Sequence, residues 1–141
     1  MRSRPRYVFD TNTLVSALLF ERSKPGQALF RALERGEILV SASTLEELVE
    51  VLQRRKFERY VTASEREEFV EAFVARATLM EPIEEVRVCR DGKDDKFLDL
   101  AITGGAECII SGDNDLRSLN PFRGISIITA AEFLEATADD T

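Results

Sequence analysis

The sequence contains no histidine and only two cysteines in 141 residues. The absence of histidine excludes a Ser-His-Asp triad, an HExxH zinc site and a ribonuclease mechanism in which histidines act as acid and base. A zinc site needs cysteine or histidine ligands, and two thiols are too few to form one. Cys89 and Cys108 lie far apart beside apolar residues. We therefore expect two buried free thiols and no disulfide.

Long apolar runs are missing as well. No apolar stretch approaches the length of a membrane span, and the apolar residues after the basic segment 1–6 stop at Asp10, which argues against a signal peptide. We therefore expect a cytoplasmic protein with no membrane partner. With 44% hydrophobic residues, a chain of this length can bury the core of one ordinary domain, so we expect a single domain over residues 1–141.

The charge is acidic overall but unevenly distributed. The net charge of −7 argues against general affinity for nucleic acid, yet residues 1–60 hold 11 Lys/Arg and 8 Asp/Glu, against 8 and 18 in residues 61–141. One basic cluster with interleaved aromatic residues lies at residues 54–60 and contains Arg54, Arg55, Lys56, Phe57, Arg59 and Tyr60. A solvated helix end is the favoured interpretation, since cations stabilise helix C-termini. A phosphate-contacting patch is the alternative.

Short apolar segments alternate with helical patterns along the chain. We predict strands at residues 7–9, 38–40, 108–110 and 125–128, with 86–88 as a short strand or a loop. We predict helices over residues 11–19, 27–35, 43–55, 64–79, 94–103 and 130–135, with Ser64 and Glu67 forming a capping box. This alternation indicates an α/β domain with a central parallel sheet of about four to five strands, flanked by helices.

Four acidic positions occur at informative places in this pattern. Asp10 and Asp113 each follow a predicted strand, where a helix cap or a turn is the more common role of a single aspartate. Glu47 lies at the edge of the apolar arc of its helix, whereas Glu46 and Glu50 point further into solvent. Asp95 is the fourth acidic position and lies near the start of a predicted helix.

Neighbouring acids accompany this last position. Asp94 could cap the helix, and Lys96 is a salt-bridge candidate. Asp95 and Asp99 are four residues apart and therefore stacked, a spacing at which like charges destabilise a helix. A bound cation would relieve this repulsion, and so would exposure to solvent.

Taken together, the acids point to a metal site. Two of them follow strands that should end at one edge of the sheet, which is where ligands bind in such folds. Gathered carboxylates repel one another unless protons or metal cations neutralise them. Oxygen ligands without sulfur or imidazole select Mg²⁺ or Mn²⁺, and such ions support hydrolysis of phosphate esters. We therefore predict a divalent-metal site for phosphodiester chemistry.

These motifs resemble those of the PIN-domain family, which includes the VapC-like toxin ribonucleases of toxin–antitoxin pairs. The resemblance covers nearly the whole chain and depends on the order and spacing of residues 8–12, 43–48, 94–98, 111–116 and 125–133. It implies that the catalytic and metal-binding acids are Asp10, Glu47, Asp95 and Asp113. It also implies an auxiliary metal-binding acid, Asp115, and supporting residues, Asn12, Ser111 and Asp99.

The resemblance further implies a metal-dependent endoribonuclease that uses Mg²⁺ or Mn²⁺, cleaves single-stranded RNA, forms a homodimer and is inhibited by an antitoxin protein. Two alternatives stay open. A haloacid-dehalogenase-like phosphatase has similar motifs around Asp10 and Asp113, but that mechanism needs a second aspartate where this chain has Asn12. A PIN-like module could also bind RNA or protein without cutting it, although all four acids are present.

Overall fold

A central parallel sheet organises the molecule. The computed structural model describes residues 4–83, 87 and 92–138, apart from the side chain of Lys93. The strands are β1 (Arg6–Phe9), β2 (Glu37–Val40), β3 (Thr78–Leu79), β4 (Cys108–Ile110) and β5 (Ser126–Ile128). They lie in the order β3-β2-β1-β4-β5, and every pair is parallel. The predicted α/β class is therefore confirmed. The segment predicted as a strand or loop at 86–88 lies outside the described residues, except for Arg87.

Seven helices cover this sheet within the described part of the chain. They are α1 (Thr11–Leu19), α2 (Lys24–Arg35), α3 (Ala42–Leu52), α4 (Ala63–Arg76), α5 (Asp95–Gly104), α6 (Asn114–Arg117) and α7 (Ala130–Ala136). Two short 3₁₀ turns, Arg55–Phe57 and Gly92–Asp94, follow α3 and precede α5. No helix among residues 4–83 or 92–138 is both long and apolar enough to cross a membrane.

Successive side chains of the strands point to opposite faces of the sheet, and this alternation explains why helices cover both faces. Tyr7, Phe9 and Ile110 face a core completed by α1, α2, α3 and α7, whereas Val8 and Ile109 face a second core completed by α5. Because successive side chains of a strand point to opposite faces, a continuous apolar strand needs helices on both sides of the sheet. The fold is therefore a three-layer sandwich, with helices on both faces of the sheet.

Two helix starts lie earlier than predicted because a residue further upstream provides the cap. Helix α2 begins at Lys24, since the Ser23 side chain accepts a hydrogen bond from the backbone N–H of Gly26. Helix α3 begins at Ala42, where Ser41 and Thr44 form a capping box. The same helix ends at Leu52, and the chain continues as a 3₁₀ turn where we predicted helix up to residue 55.

The prediction for the fourth helix was wrong at both ends. Its capping box is formed by Thr62 and Glu65, two residues before the predicted pair. The helix ends at Arg76 because Thr78 and Leu79 leave it to pair with β2. The four-residue helix α6 was not predicted.

One of the two predicted free thiols can be checked. Cys108 is buried and free, as predicted, and burial raises its pKa to about 12. Such a thiol is inert at neutral pH because it carries almost no thiolate. Cys89 lies outside the described residues.

Candidate metal and nuclease site

Asp10 lies at the carboxyl end of β1, where the chain turns directly into α1. Its backbone is extended and it is the N-cap of α1, with Oδ1 accepting a hydrogen bond from the Thr13 N–H at 2.8 Å. Its Oδ2 accepts a second bond from the Ser111 hydroxyl at 2.5 Å. Burial raises the pKa of Asp10, the hydrogen bonds from Ser111 and Thr13 lower it, and the charge of Asp113 raises it further. Asp10 is thus a buried carboxylate beside a second acid.

Ser111 connects the ends of two neighbouring strands. It follows β4, is fully buried, and donates its hydroxyl hydrogen to Asp10. The same hydroxyl oxygen accepts a bond from the Asp113 N–H at 3.0 Å, while Asp113 caps α6 by accepting from the Asp115 N–H at 2.8 Å. One side chain therefore fixes the relative position of two acids.

The position of these two acids within the sheet is significant. From β1 the chain proceeds to β2 and β3 on one side, and then returns to place β4 and β5 on the other side of β1. The carboxyl ends of β1 and β4 therefore lie where the strand order reverses, which is the usual ligand-binding crevice of an open parallel sheet.

Glu47 approaches the same edge from α3. It is half-buried, whereas Glu46 and Glu50 are exposed, as its place on the helix predicted. Its Oε2 accepts a hydrogen bond from the Thr11 hydroxyl, and its Oε1 lies 3.1 Å from Lys96 Nζ on α5. Glu47 is thus held by residues from two other helices, and the salt bridge suggested for Lys96 is present.

A small cavity of about 70 Å³ lies between these elements. It is lined by Asp10, Thr11, Asn12, Glu47, Val51, Arg54, Asp94, Phe97 and Asp113. Three of the four predicted acids line it, together with the predicted supporting residue Asn12. Ser111 does not line the cavity, but it donates a hydrogen bond to Asp10, which does.

The fourth acid that lines the cavity is Asp94, one residue before the predicted Asp95. Asp94 is 7% exposed and ends the 3₁₀ turn before α5. It is the N-cap residue of α5, the position considered for it from the sequence, but its side chain makes no capping hydrogen bond. Asp95 and Asp99 are half-buried on α5, and Asp115 is exposed on α6. None of these three lines the cavity.

Arg54 is the residue at this cavity that the sequence reasoning did not connect with the acids. It was assigned to the basic cluster at residues 54–60. It lies seven residues after Glu47, just beyond the end of α3 at Leu52, where the backbone has become extended. Its place in the wall provides a positive charge beside the four acids.

The donor chemistry of the cavity fits a hard divalent cation. Every candidate ligand is an oxygen, which favours Mg²⁺ or Mn²⁺. Among the described residues, no group of three acidic or thiol side chains is arranged to enclose an ion, and Asp10 and Glu47 are engaged by hydrogen-bond donors of the protein. Because Mg²⁺ is often held by one or two carboxylates and several waters, an open set of acids is compatible with it.

Comparisons with known proteins agree with the fold. An uncharacterized protein of Methanocaldococcus jannaschii, MJ1680, is 32% identical over 140 residues, covering 92% of this chain and 90% of the relative. The structure of PAE2754 from Pyrobaculum aerophilum superposes with a TM-score of 0.64 at 15% identity, covering 96% of this chain and 91% of that one.

A second solved structure is VapBC2 from Rickettsia felis bound to a DNA fragment from their promoter. It superposes with a TM-score of 0.61 at 13% identity, covering 86% of this chain and 96% of that one. At such identities the two likenesses establish the fold alone. A family model described as a PIN domain matches residues 6–115. The chain therefore belongs to the PIN-domain family.

Proposed function

We propose that this protein is a metal-dependent endoribonuclease that cleaves single-stranded RNA. The observation that carries the proposal is the convergence of Asp10, Glu47, Asp94 and Asp113 on one small cavity at the reversal point of the sheet. Membership of the PIN-domain family supports a nuclease and makes a haloacid-dehalogenase-like phosphatase the weaker alternative.

Asp10 and Asp113 are the proposed central ligands, because their strand ends adjoin and one serine fixes both. Glu47 and Asp94 complete the set from the helices. A bound Mg²⁺ or Mn²⁺ would supply Lewis acidity and offset the negative charge of the phosphodiester. Ser111 holds the Asp10 carboxylate in one orientation.

Other groups of the chain have positioning roles in this proposal. Thr11 holds Glu47 at the cavity by a hydrogen bond, and Lys96 forms an ion pair with the other oxygen of Glu47. Asn12 is exposed at the cavity wall, where its amide can donate a hydrogen bond to a phosphate oxygen. Asp115, predicted as an auxiliary ligand, orients Asp113 through its backbone N–H.

The assignment of the third acid is a separate question. The sequence favoured Asp95, whereas cavity lining and burial favour Asp94. Each is converted to asparagine, so the two variants lose the same charge at adjacent positions. We expect Asp94→Asn to lower the cleavage rate by about 100-fold or more, equivalent to about 2.7 kcal/mol, and Asp95→Asn to lower it by less than about tenfold. The reverse order would restore the assignment to Asp95.

The experiment for the proposed function is cleavage of a mixed single-stranded RNA pool with Mn²⁺, alongside Asp10→Asn and an excess of EDTA. Cleavage should require the metal and should be abolished in Asp10→Asn, whose folding is checked by circular dichroism. Activity that persists equally in Asp10→Asn would come from a contaminating nuclease. A wild-type protein that binds no Mn²⁺ in calorimetry and cuts no RNA would favour the binding module.

We also propose that the protein is the toxin of a toxin–antitoxin pair and that it forms a homodimer. The likeness in fold to VapBC2 supports the first part. Expression with and without the product of a neighbouring gene would test the antitoxin, since the toxin alone should arrest growth. Light scattering coupled to gel filtration would test the dimer, and a monomeric mass would contradict it.

A further inference from the structure

A basic turn leaves the cavity at the end of α3. We use this name for residues 54–60, which run from Arg54 through the 3₁₀ turn Arg55–Phe57 to Tyr60. Arg54 lines the acidic cavity, and the turn continues from there with Arg55, Lys56 and Arg59, all exposed. The turn therefore leads from the four acids to the outer surface of the protein.

The four cations of the basic turn are available to an external anion. Among the described residues, Arg6, Lys96 and Arg117 form ion pairs with acidic side chains, but no cation of the basic turn does so. Lys56 Nζ lies 5.1 Å from the centre of the Phe57 ring, and the Arg59 guanidinium lies 6.0 Å from that of Tyr60. Exposed contacts of this kind are weak and do not neutralise Lys56 or Arg59. Arg54 lies beside the acids of the cavity, and the exposed Glu58 is the one acid within the turn.

Two exposed aromatic rings adjoin these charges. Tyr60 is 53% exposed and Phe20 is 44% exposed. Their ring centres are 5.4 Å apart, with the planes at 80°. Phe20 is the C-cap of α1, whose N-cap is Asp10, so one helix length of about 14 Å separates the aromatic pair from the acids. Aromatic faces interleaved with cations are typical of surfaces that bind single-stranded nucleic acid.

We infer that the basic turn, with Phe20, is the surface along which single-stranded RNA reaches the cavity. The cations contact phosphates on one side of the cleavage site, and an unpaired base stacks on the face of Tyr60, beside which the Phe20 ring lies nearly perpendicular. A duplex offers no free base faces to such a platform, so a single strand is the favoured occupant. This inference rests on the proposed function and assigns its substrate-binding residues.

Binding is measured without metal, so that it does not depend on cleavage. A fluorescein-labelled single-stranded RNA is titrated in EDTA over a series of KCl concentrations, and affinity is followed by fluorescence anisotropy. The test variant is Arg54→Gln/Arg55→Gln. The matched control is Arg4→Gln/Arg76→Gln, which loses the same charge from exposed residues next to the amino ends of β1 and β3, away from the acids.

The salt dependence separates a local contact from overall charge. Each lost phosphate contact lowers the slope of log affinity against log salt by about 0.7 for a single strand. We expect a fall of about 1.4 for the test variant and no change for the control. A second pair of variants tests stacking: Tyr60→Ser should weaken binding by about fivefold or more, whereas Tyr60→Phe should bind like wild type.

Three results would overturn the inference: equal loss of slope in test and control variants, no RNA binding by wild type, or equally tight binding of duplex DNA through the same residues. Cleavage with Mn²⁺ is measured in parallel. If RNA binds through the basic turn but is not cut, the result contradicts the proposed function but supports the binding surface. If RNA is cut but the variants of the basic turn bind it normally, the result contradicts the binding surface but supports the nuclease activity.

Discussion

Removing the Ser111 hydroxyl should destabilise the protein by about 3 kcal/mol. The hydroxyl donates to the carboxylate of Asp10 at 2.5 Å and accepts from the N–H of Asp113 at 3.0 Å. A hydrogen bond to a charged group contributes about 1.5–3 kcal/mol, and one between neutral groups contributes about 1 kcal/mol. Because Asp10 is only 6% exposed, little water can replace the lost donor. Asp113 is half-buried, so its N–H is partly compensated by water.

The assay is urea denaturation of wild type and Ser111→Ala, with the slope of free energy against urea used to check that unfolding stays two-state. Ser118→Ala is the matched control. Ser118 is exposed and donates one hydrogen bond to the Asp115 carbonyl at 2.7 Å, which water can replace. We expect the control to change stability by less than about 0.5 kcal/mol.

A double-mutant cycle isolates the contact between Ser111 and Asp10. The capping contribution of Asp10 and the bond to Asp113 cancel in the cycle between Ser111→Ala and Asp10→Ala. The remaining coupling should be about 1.5–3 kcal/mol, as for one hydrogen bond to a charge. A coupling near zero, or a Ser111→Ala variant as stable as its control, would refute the idea that this serine locks the two strand ends together.

Two further predictions concern charged groups, one near the amino ends of the strands and one near their carboxyl ends. The hydrogen bond from Arg6 is the main cause of the lowered pKa of Glu37. A lowered carboxyl pKa stabilises the fold above the unfolded value and loses that effect as pH falls through the folded value. Glu37→Gln should thus be less stable than wild type by about 1 kcal/mol at neutral pH. This difference should shrink below pH 4.5 in denaturation curves, and a difference that grows there would contradict the assignment. At the cavity, Lys96 occupies one oxygen of Glu47, so Lys96→Met should bind Mn²⁺ more tightly in calorimetry, by about three- to tenfold. Weaker binding would mean that Lys96 orients Glu47 for the metal more than it competes with it.

The sheet could be predicted from the sequence because its strands are buried on both faces. Tyr7, Val8 and Phe9 face alternate cores, so the strand is apolar throughout and stands out against its polar neighbours. Strand β3 was missed because it has two residues at the edge of the sheet and Leu79 is 65% exposed. Such an edge has no apolar pattern, and only its pairing with β2 reveals it.

Helix boundaries depended on competition between similar local signals. Thr62 with Glu65, and Ser64 with Glu67, both have the spacing of a capping box. The sequence cannot rank two identical signatures two residues apart. The structure uses the first, directly after the buried Val61, so the cap lies two residues earlier than predicted and the helix begins at Ala63.

The candidate site was predictable to the extent that topology determines it. Acids that follow neighbouring parallel strands must meet at one edge, which places Asp10 and Asp113 together. The choice between Asp94 and Asp95 depends on the point where a 3₁₀ turn becomes α5, and adjacent helical residues differ by about 100° in direction. Arg54 was missed for a similar reason, because α3 ends before it.

The most direct measurement of the central claim is an anomalous diffraction map of crystals soaked in Mn²⁺. The account predicts a peak in the cavity lined by Asp10, Glu47, Asp94 and Asp113, in contact with the carboxylates of Asp10 and Asp113. The same soak of Asp10→Asn crystals should give a weaker peak or none. A wild-type cavity that stays without a peak at saturating Mn²⁺, or a peak held only by other acids, would contradict the account.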